Sequence, residues 1–180
     1  VVVGRGKVGK SVLTKKLTIP NYSLSNNPTT TGIDILKNPF VLPINHLGNF
    51  VNFKFNIWDF GGQEKYDATH QLFITSRTIY LFLTEARDES NYSDFYFWLN
   101  TIRLFSKNSP VIVVLSKIDE RKKLLPQSAY KDNFENITNF VDVSCSDGYE
   151  HTIHTLKKAI AAAANLLPQI RQKLSNRWIG

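Results

Sequence analysis

Eight residues near the start of the chain carry the clearest chemistry. Gly4-Arg5-Gly6-Lys7-Val8-Gly9-Lys10-Ser11 fits the pattern G-x-x-x-x-G-K-[ST] in full. Its glycines let backbone N–H groups curl around phosphates, and a helix beginning at its end adds partial positive charge. The pattern demands a strand before it and a helix after it. Val1 to Val3 is a β-branched run, and Lys10 to Leu17 places Val12, Leu13 and Leu17 on one side of a helix. The candidate phosphate-contacting residues are therefore Gly4, Gly6, Lys7, Val8, Gly9, Lys10, Ser11 and Val12. Lys10 would reach the β- and γ-phosphates, and the Ser11 hydroxyl would ligate Mg²⁺.

Two further groups extend this chemistry. Trp58-Asp59-Phe60-Gly61-Gly62-Gln63-Glu64 closes a strand pattern. Asp59 is placed to hold Mg²⁺, Gly62 to offer a backbone N–H to a γ-phosphate, and Gln63 to orient an attacking water. Between the two motifs lies a polar loop containing Thr29-Thr30-Thr31-Gly32. We take Thr30 as the residue that completes the metal shell and senses the γ-phosphate, as an order–disorder switch would. The candidate metal ligands are thus Ser11, Thr30 and Asp59, and the candidate catalytic residues are Lys10, Thr30 and Gln63.

A base-reading site follows. Val111 to Leu115 runs into Ser116-Lys117-Ile118-Asp119. A carboxylate there accepts two hydrogen bonds from the N1–H and exocyclic amine of guanine, a pair that adenine does not offer. Burial around such an acceptor makes the discrimination strong. The Lys117 stem would lie over the base, and Ser144-Cys145-Ser146 would present backbone N–H to guanine O6. Taken alone, the first segment also suits a solvated turn and the second a small-residue loop.

These groups need a scaffold. Apolar runs at Thr78 to Leu83 and Val111 to Leu115 read as buried strands, with a short one at Val141 to Val143. Val51, Phe53, Phe55 and Ile57 alternate with polar residues, as a half-buried strand does. Another β-rich segment covers Gly32 to Leu36, and the stretch with Pro39, Pro43, Asn45 and Gly48 reads as a turn or small insertion. Helices are expected at Ser93 to Phe105 and at Thr152 to Leu167, with Pro168 as the stop. Strands alternating with helices predict an α/β fold with a mostly parallel central sheet and helices on both faces.

The five chemical elements, in this order, resemble the Ras-like small GTPase superfamily. Within it the chain is most similar to the Roc domain of Roco proteins. Asp59 to Glu64, His70-Gln71-Leu72-Phe73-Ile74 and Trp98-Leu99 carry that similarity. Leu167 to Ile170 with Ser175 to Ile179 resembles the linker towards a COR domain. The resemblance implies a P-loop GTPase domain over 1–167 and a linker over 168–180. It implies GTP/GDP and Mg²⁺ as ligands, slow hydrolysis and switch behaviour in a larger, homodimeric, cytoplasmic protein. A nucleotide-dependent dimerisation or scaffold module with negligible turnover is the alternative. Two positions depart from the family: Ser116 stands in place of Asn, where its shorter side chain cannot make all the Asn contacts, and Ser146 in place of Lys. Arg5, Arg77 and Arg87 are candidates for stabilising transition-state charge.

Composition bounds the rest. The 180 residues are 42% hydrophobic with a net charge of +7, the balance of one globular domain rather than a disordered chain. The basic residues do not interleave with aromatics along one element, which argues against nucleic-acid binding. Single Cys145 excludes an intrachain disulfide and suits a reducing compartment. His151 and His154 lack the partners of a zinc site. No apolar run reaches the ~20 residues of a membrane span. The chain has no Met and starts inside an apolar run, so we expect it to be part of a longer protein.

Overall fold

The computed structural model describes residues 1–19, 21–23, 33–35, 40–46, 49–60, 75–85, 92–120 and 124–171. The described residues include eight strands: β1 (Val2–Val3), β2 (Ile33–Ile35), β3 (Phe40–His46), β4 (Asn49–Phe55), β5 (Trp58–Phe60), β6 (Tyr80–Glu85), β7 (Val111–Ser116) and β8 (Ile137–Val143). The helices are α1 (Lys10–Thr18), α2 (Tyr92–Ser106), α3 (Gln127–Asn133), α4 (Glu150–Ala164) and the short turn α5 (Pro168–Arg171).

Six strands form one sheet in the order β2-β5-β1-β6-β7-β8. Only the β2–β5 pairing in it is antiparallel. Alternate residues of the parallel strands feed two separate cores. Leu81, Leu83, Ile112 and Val114 pack with Leu13 and Leu17 of α1 and Ile153, Leu156 and Ile160 of α4. Tyr80, Phe82, Val111 and Val113 pack with Phe95, Trp98 and Leu99 of α2 and with Tyr130 of α3. Both faces are covered, which is why these strands read as continuous apolar runs. The expected fold class is the observed one.

Several segments differ from the sequence reading; the strand pattern through Ile57 divides into β4, ending at Phe55, and β5, in separate sheets, and helix α3 was not anticipated. The stretch containing Pro43 is not a turn but the seven-residue strand β3, hydrogen-bonded to β4 as a separate two-stranded sheet. Phe40, Leu42 and Ile44 are buried while Val41 and Pro43 face out. A two-stranded sheet has a free edge on each strand, where the missing N–H of Pro43 is tolerated. β8 begins at Ile137, four residues before the expected Val141, because polar Thr138 and Asn139 interrupt its apolar signal. Pro168 opens α5 rather than only stopping a helix. Proline suits a first helical position, and Leu167 and Ile170 around it are buried with Ile44 of β3.

The strand-to-loop corner after β1 is sterically specified. Gly4 has φ +137°, and a Cβ there would stand 2.3 Å from the carbonyl oxygen of Leu83. Neither backbone can yield without breaking the β1–β6 pairing. Gly4→Ala is expected to cost about 3 kcal/mol of stability, read as a shift in the urea midpoint at unchanged slope.

Candidate nucleotide-binding site

The loop from Gly4 to Gly9 joins the C-terminal end of β1 to α1. Positive φ angles at Gly4, Lys7 and Gly9 turn its backbone into a concave arc. Such an arc directs N–H groups inwards and binds anions. No acidic residue stands in the first turn of α1, so no side chain of that turn neutralises the positive end of the helix.

Lys10 lies inside the arc and is buried. Its Nζ donates to the carbonyl oxygens of Gly4 and Arg5, at 2.8 and 2.6 Å. Burial lowers its pKa to about 8, while the charge of Asp59 pulls it back up. The loop thus holds a partly desolvated ammonium at its centre. Phosphate oxygens offer that ammonium a stronger partner than neutral carbonyls do.

Asp59 sits in the middle of β5, paired with β1 on one side and β2 on the other. It is 2% exposed. Its Oδ1 accepts no hydrogen bond among the described residues. A buried carboxylate beside a phosphate loop, with the Ser11 hydroxyl at the start of α1, is an all-oxygen donor set suited to Mg²⁺. Two protein ligands are few, but Mg²⁺ commonly takes its remaining ligands from water and phosphate. The residues present therefore fit the ion.

The base-site candidates converge with this loop. A cavity of about 160 Å³ is lined by Val8, Gly9, Val12, Leu83, Ser116, Lys117, Asp119, Cys145 and Ser146, among others. Its parts come from the C-terminal ends of β6, β7 and β8 and from the start of α1. That is the edge where parallel α/β sheets bind ligands. Hydrogen bonds from three side chains hold the cavity in shape. Ser116 Oγ lies 2.8 Å from the Val8 carbonyl and 3.2 Å from the Thr84 carbonyl. Ser146 Oγ donates to Asp119 Oδ2 at 2.7 Å, and Asp119 is exposed where the sequence reading expected burial around it, because it lies in the turn beyond the end of β7. Lys117 Nζ donates to Glu85 Oε1 at 2.7 Å. Ser116 thus reaches the phosphate loop despite being shorter than Asn.

Ser144 is placed differently from the expectation. It is buried, its N–H donates to Thr152 Oγ1, and its Oγ accepts from the Ser146 N–H. It braces the loop from behind instead of lining the cavity. Of its group, Cys145 and Ser146 reach the cavity. Burial pushes the Cys145 thiol up to about 11, so it stays protonated and serves as a small loop residue. Arg77 lines a different cavity, with Val1, Lys54 and Ile79, at the N-terminal ends of the parallel strands. It is therefore remote from the phosphate loop. Thr30, Gly62, Gln63, Arg87, the His70 to Ile74 segment and Ser175 to Ile179 lie outside the described residues. No His/Cys/Asp/Glu cluster suited to a metal occurs among the described residues. None of the described helices is long and apolar enough to cross a membrane.

Glu85 and the bracing role of Ser146 escaped the sequence reading. One signal was available for Glu85. It ends an apolar strand, as Asp59 and Ser116 do near theirs, and strand C-termini are where such sheets present functional groups.

Comparison with known proteins agrees with this geometry. The family model described as "Ras of Complex, Roc, domain of DAPkinase" matches residues 1–119. A "Roc-COR-CHAT protease" from an unknown prokaryotic organism is 31% identical over 201 residues, covering 100% of this chain and 18% of that relative. The Dictyostelium discoideum "Probable serine/threonine-protein kinase roco5" is 36% identical over 104 residues, covering 52% of this chain and 4% of its own length. The solved structure of Methanosarcina barkeri Roco2 RocCORdC bound to GDP matches with a TM-score of 0.78 and 28% identity, over 99% of this chain and 52% of that one. The chain thus spans less than a fifth of either curated relative. With its phosphate loop, its sheet order and these matches, the chain belongs to the Roc family of Ras-like GTPase domains.

Proposed function

We propose that this domain binds GTP and GDP with Mg²⁺ and hydrolyses GTP slowly, as a switch within a larger Roco-type protein. The observation that carries the reading is the meeting of the phosphate loop, buried Asp59 and the Asp119 cavity at one edge of the sheet. The GDP in the Roco2 structure supports the choice of nucleotide.

In this reading the arc from Gly4 to Gly9 wraps the phosphates. Lys10 exchanges its carbonyl partners for β- and γ-phosphate oxygens. Ser11, Asp59 and Thr30 would hold Mg²⁺, which would neutralise charge on the phosphates. The Gly62 N–H meets the γ-phosphate, and Gln63 orients the attacking water. Asp119 reads guanine, with Lys117 and Cys145 as walls. Loss of the γ-phosphate releases the Thr30 and Gly62 segments, which is the switch. We place a linker over 168–180 leading to a COR-type domain beyond it, by likeness to the relatives, and expect the full protein to work as a homodimer in the cytoplasm.

Single-turnover GTP hydrolysis over a wide range of protein concentration tests this. A rate constant that climbs with concentration means that a second subunit completes the site. A measurable but flat rate means a site complete in one chain. Tight GTP binding without hydrolysis would replace the enzyme by a nucleotide-dependent scaffold.

Lys10 also predicts a pH dependence. Its pKa in the nucleotide-free protein is about 8. Phosphate contact raises it, so binding takes up a proton above that value and none below it. Affinity is expected to be flat with respect to Lys10 below about pH 8 and to fall by up to about tenfold per unit above it. Calorimetry in buffers of different ionisation enthalpy reads the proton uptake directly.

A further inference from the structure

We propose that Glu85 is a positioning residue for the base site, holding Lys117 across the cavity and slowing release of the nucleotide. The inference rests on the nucleotide-binding reading above and adds a residue that reading did not contain. Glu85 ends β6 and lies in register with Ser116 on β7. Glu85 thus stands opposite the residue that precedes Lys117, and Lys117 lines the cavity. Lys117 leaves β7 with φ +59°, a left-handed backbone that a residue with a Cβ rarely adopts. The turn points its side chain back over the neighbouring strand, and the 2.7 Å ion pair with Glu85 ties down the far end. Lys117, held between these two anchors, lines the cavity. Both side chains are partly sheltered, at 31% and 20% exposure, so solvent screens the pair less than a pair on an open surface.

The physical consequence is kinetic. An untethered lysine stem would have to be ordered each time a base entered, and would swing aside more readily to let it leave. A stem ordered beforehand mainly lengthens residence, since affinity differences within one site fall largely on dissociation. Electrostatics agrees: Glu85 neutralises the ammonium near a base whose own edge is read by a second carboxylate, Asp119. Ser146 fixes that carboxylate and Ser116 fixes the strand end to the phosphate loop. Glu85–Lys117 is the third strut of the same frame.

The test uses dissociation of a fluorescent GDP analogue from the full chain, chased with excess GDP, alongside its association rate. Glu85→Gln is expected to raise the dissociation rate roughly fivefold while association stays within about twofold. Glu85→Asp, which keeps the charge on a shorter arm, should fall between the two. Lys117→Met keeps a stem but removes its anchor, so adding Glu85→Gln to it should change dissociation no further. An unchanged dissociation rate in both Glu85 variants overturns the proposal. An equal effect of Glu85→Gln with and without the lysine overturns it too, because Glu85 would then act on the strand end and not through Lys117. Failure of the unaltered chain to bind GDP would overturn the nucleotide reading itself, and this inference with it.

Discussion

Replacing Lys10 with Ala should abolish nucleotide binding. The ammonium is the one formal positive charge buried within the described phosphate loop, and it already spends its hydrogen bonds on the Gly4 and Arg5 carbonyls. In the complex those bonds pass to phosphate oxygens in a partly desolvated site, where charge-assisted contacts are strong. Loss of roughly 4 kcal/mol would weaken binding about a thousandfold. The stability of the nucleotide-free protein should move differently. Lys10 titrates near 8 in the folded protein, below its ordinary 10.5, so folding without nucleotide works against the charged form. That cost is about 3 kcal/mol, fully present below pH 8 and relieved as pH rises through 8 to 10.5. Lys10→Met removes it while keeping the aliphatic stem. Its melting temperature at neutral pH should therefore hold or rise even as binding is lost. Equilibrium titration with GDP and a thermal melt on the same sample read both effects. Unchanged GDP affinity would refute the assignment of the loop.

The second large effect is a change of base preference. Asp119 lines the cavity, and one of its oxygens is held by the Ser146 hydroxyl at 2.7 Å. A carboxylate presents only acceptors, which suits the N1–H and amine of guanine. Asp119→Asn places an amide N–H₂ where guanine offers its own amine, so donor faces donor. Xanthine has a carbonyl at that position and restores the match. Guanine affinity should fall on the order of a thousandfold, with xanthine nucleotides bound in preference. The Ser146 hydroxyl can still donate to the amide oxygen, so the loop should keep its shape. Competition between GDP and XDP against one fluorescent nucleotide measures the ratio. Retained guanine preference would show that another group reads the base.

The parts of the site that were legible in the sequence are those built from neighbouring residues. The phosphate loop is eight consecutive positions, and its conformation follows from where glycine can turn. Asp59 announced itself at the end of a strand pattern, and Asp119 after another. The two-faced sheet was legible because strands covered on both sides lose their polar alternation. The hairpin β3–β4 was harder. Pro43 reads as a breaker in a one-dimensional scan, and only a strand with a free edge makes it harmless. Ser144 was misplaced for a related reason. Three small polar residues in a row look alike until α4 supplies Thr152 as a partner for one of them.

By itself, the sequence determined the local elements: a glycine-rich turn opening a helix, carboxylates at or just beyond the ends of two strands, and the alternation of elements that makes an α/β sheet. The tertiary structure alone decided how those pieces brace one another. Ser116 meets Val8 across 108 positions, Lys117 meets Glu85 across 32, and Ser146 meets Asp119 across 27. No spacing rule predicts such pairs. They depend on the register of β1 against β6, of β6 against β7 and of β7 against β8, and a slip of one residue would turn Ser116 and Glu85 to the opposite face of the sheet.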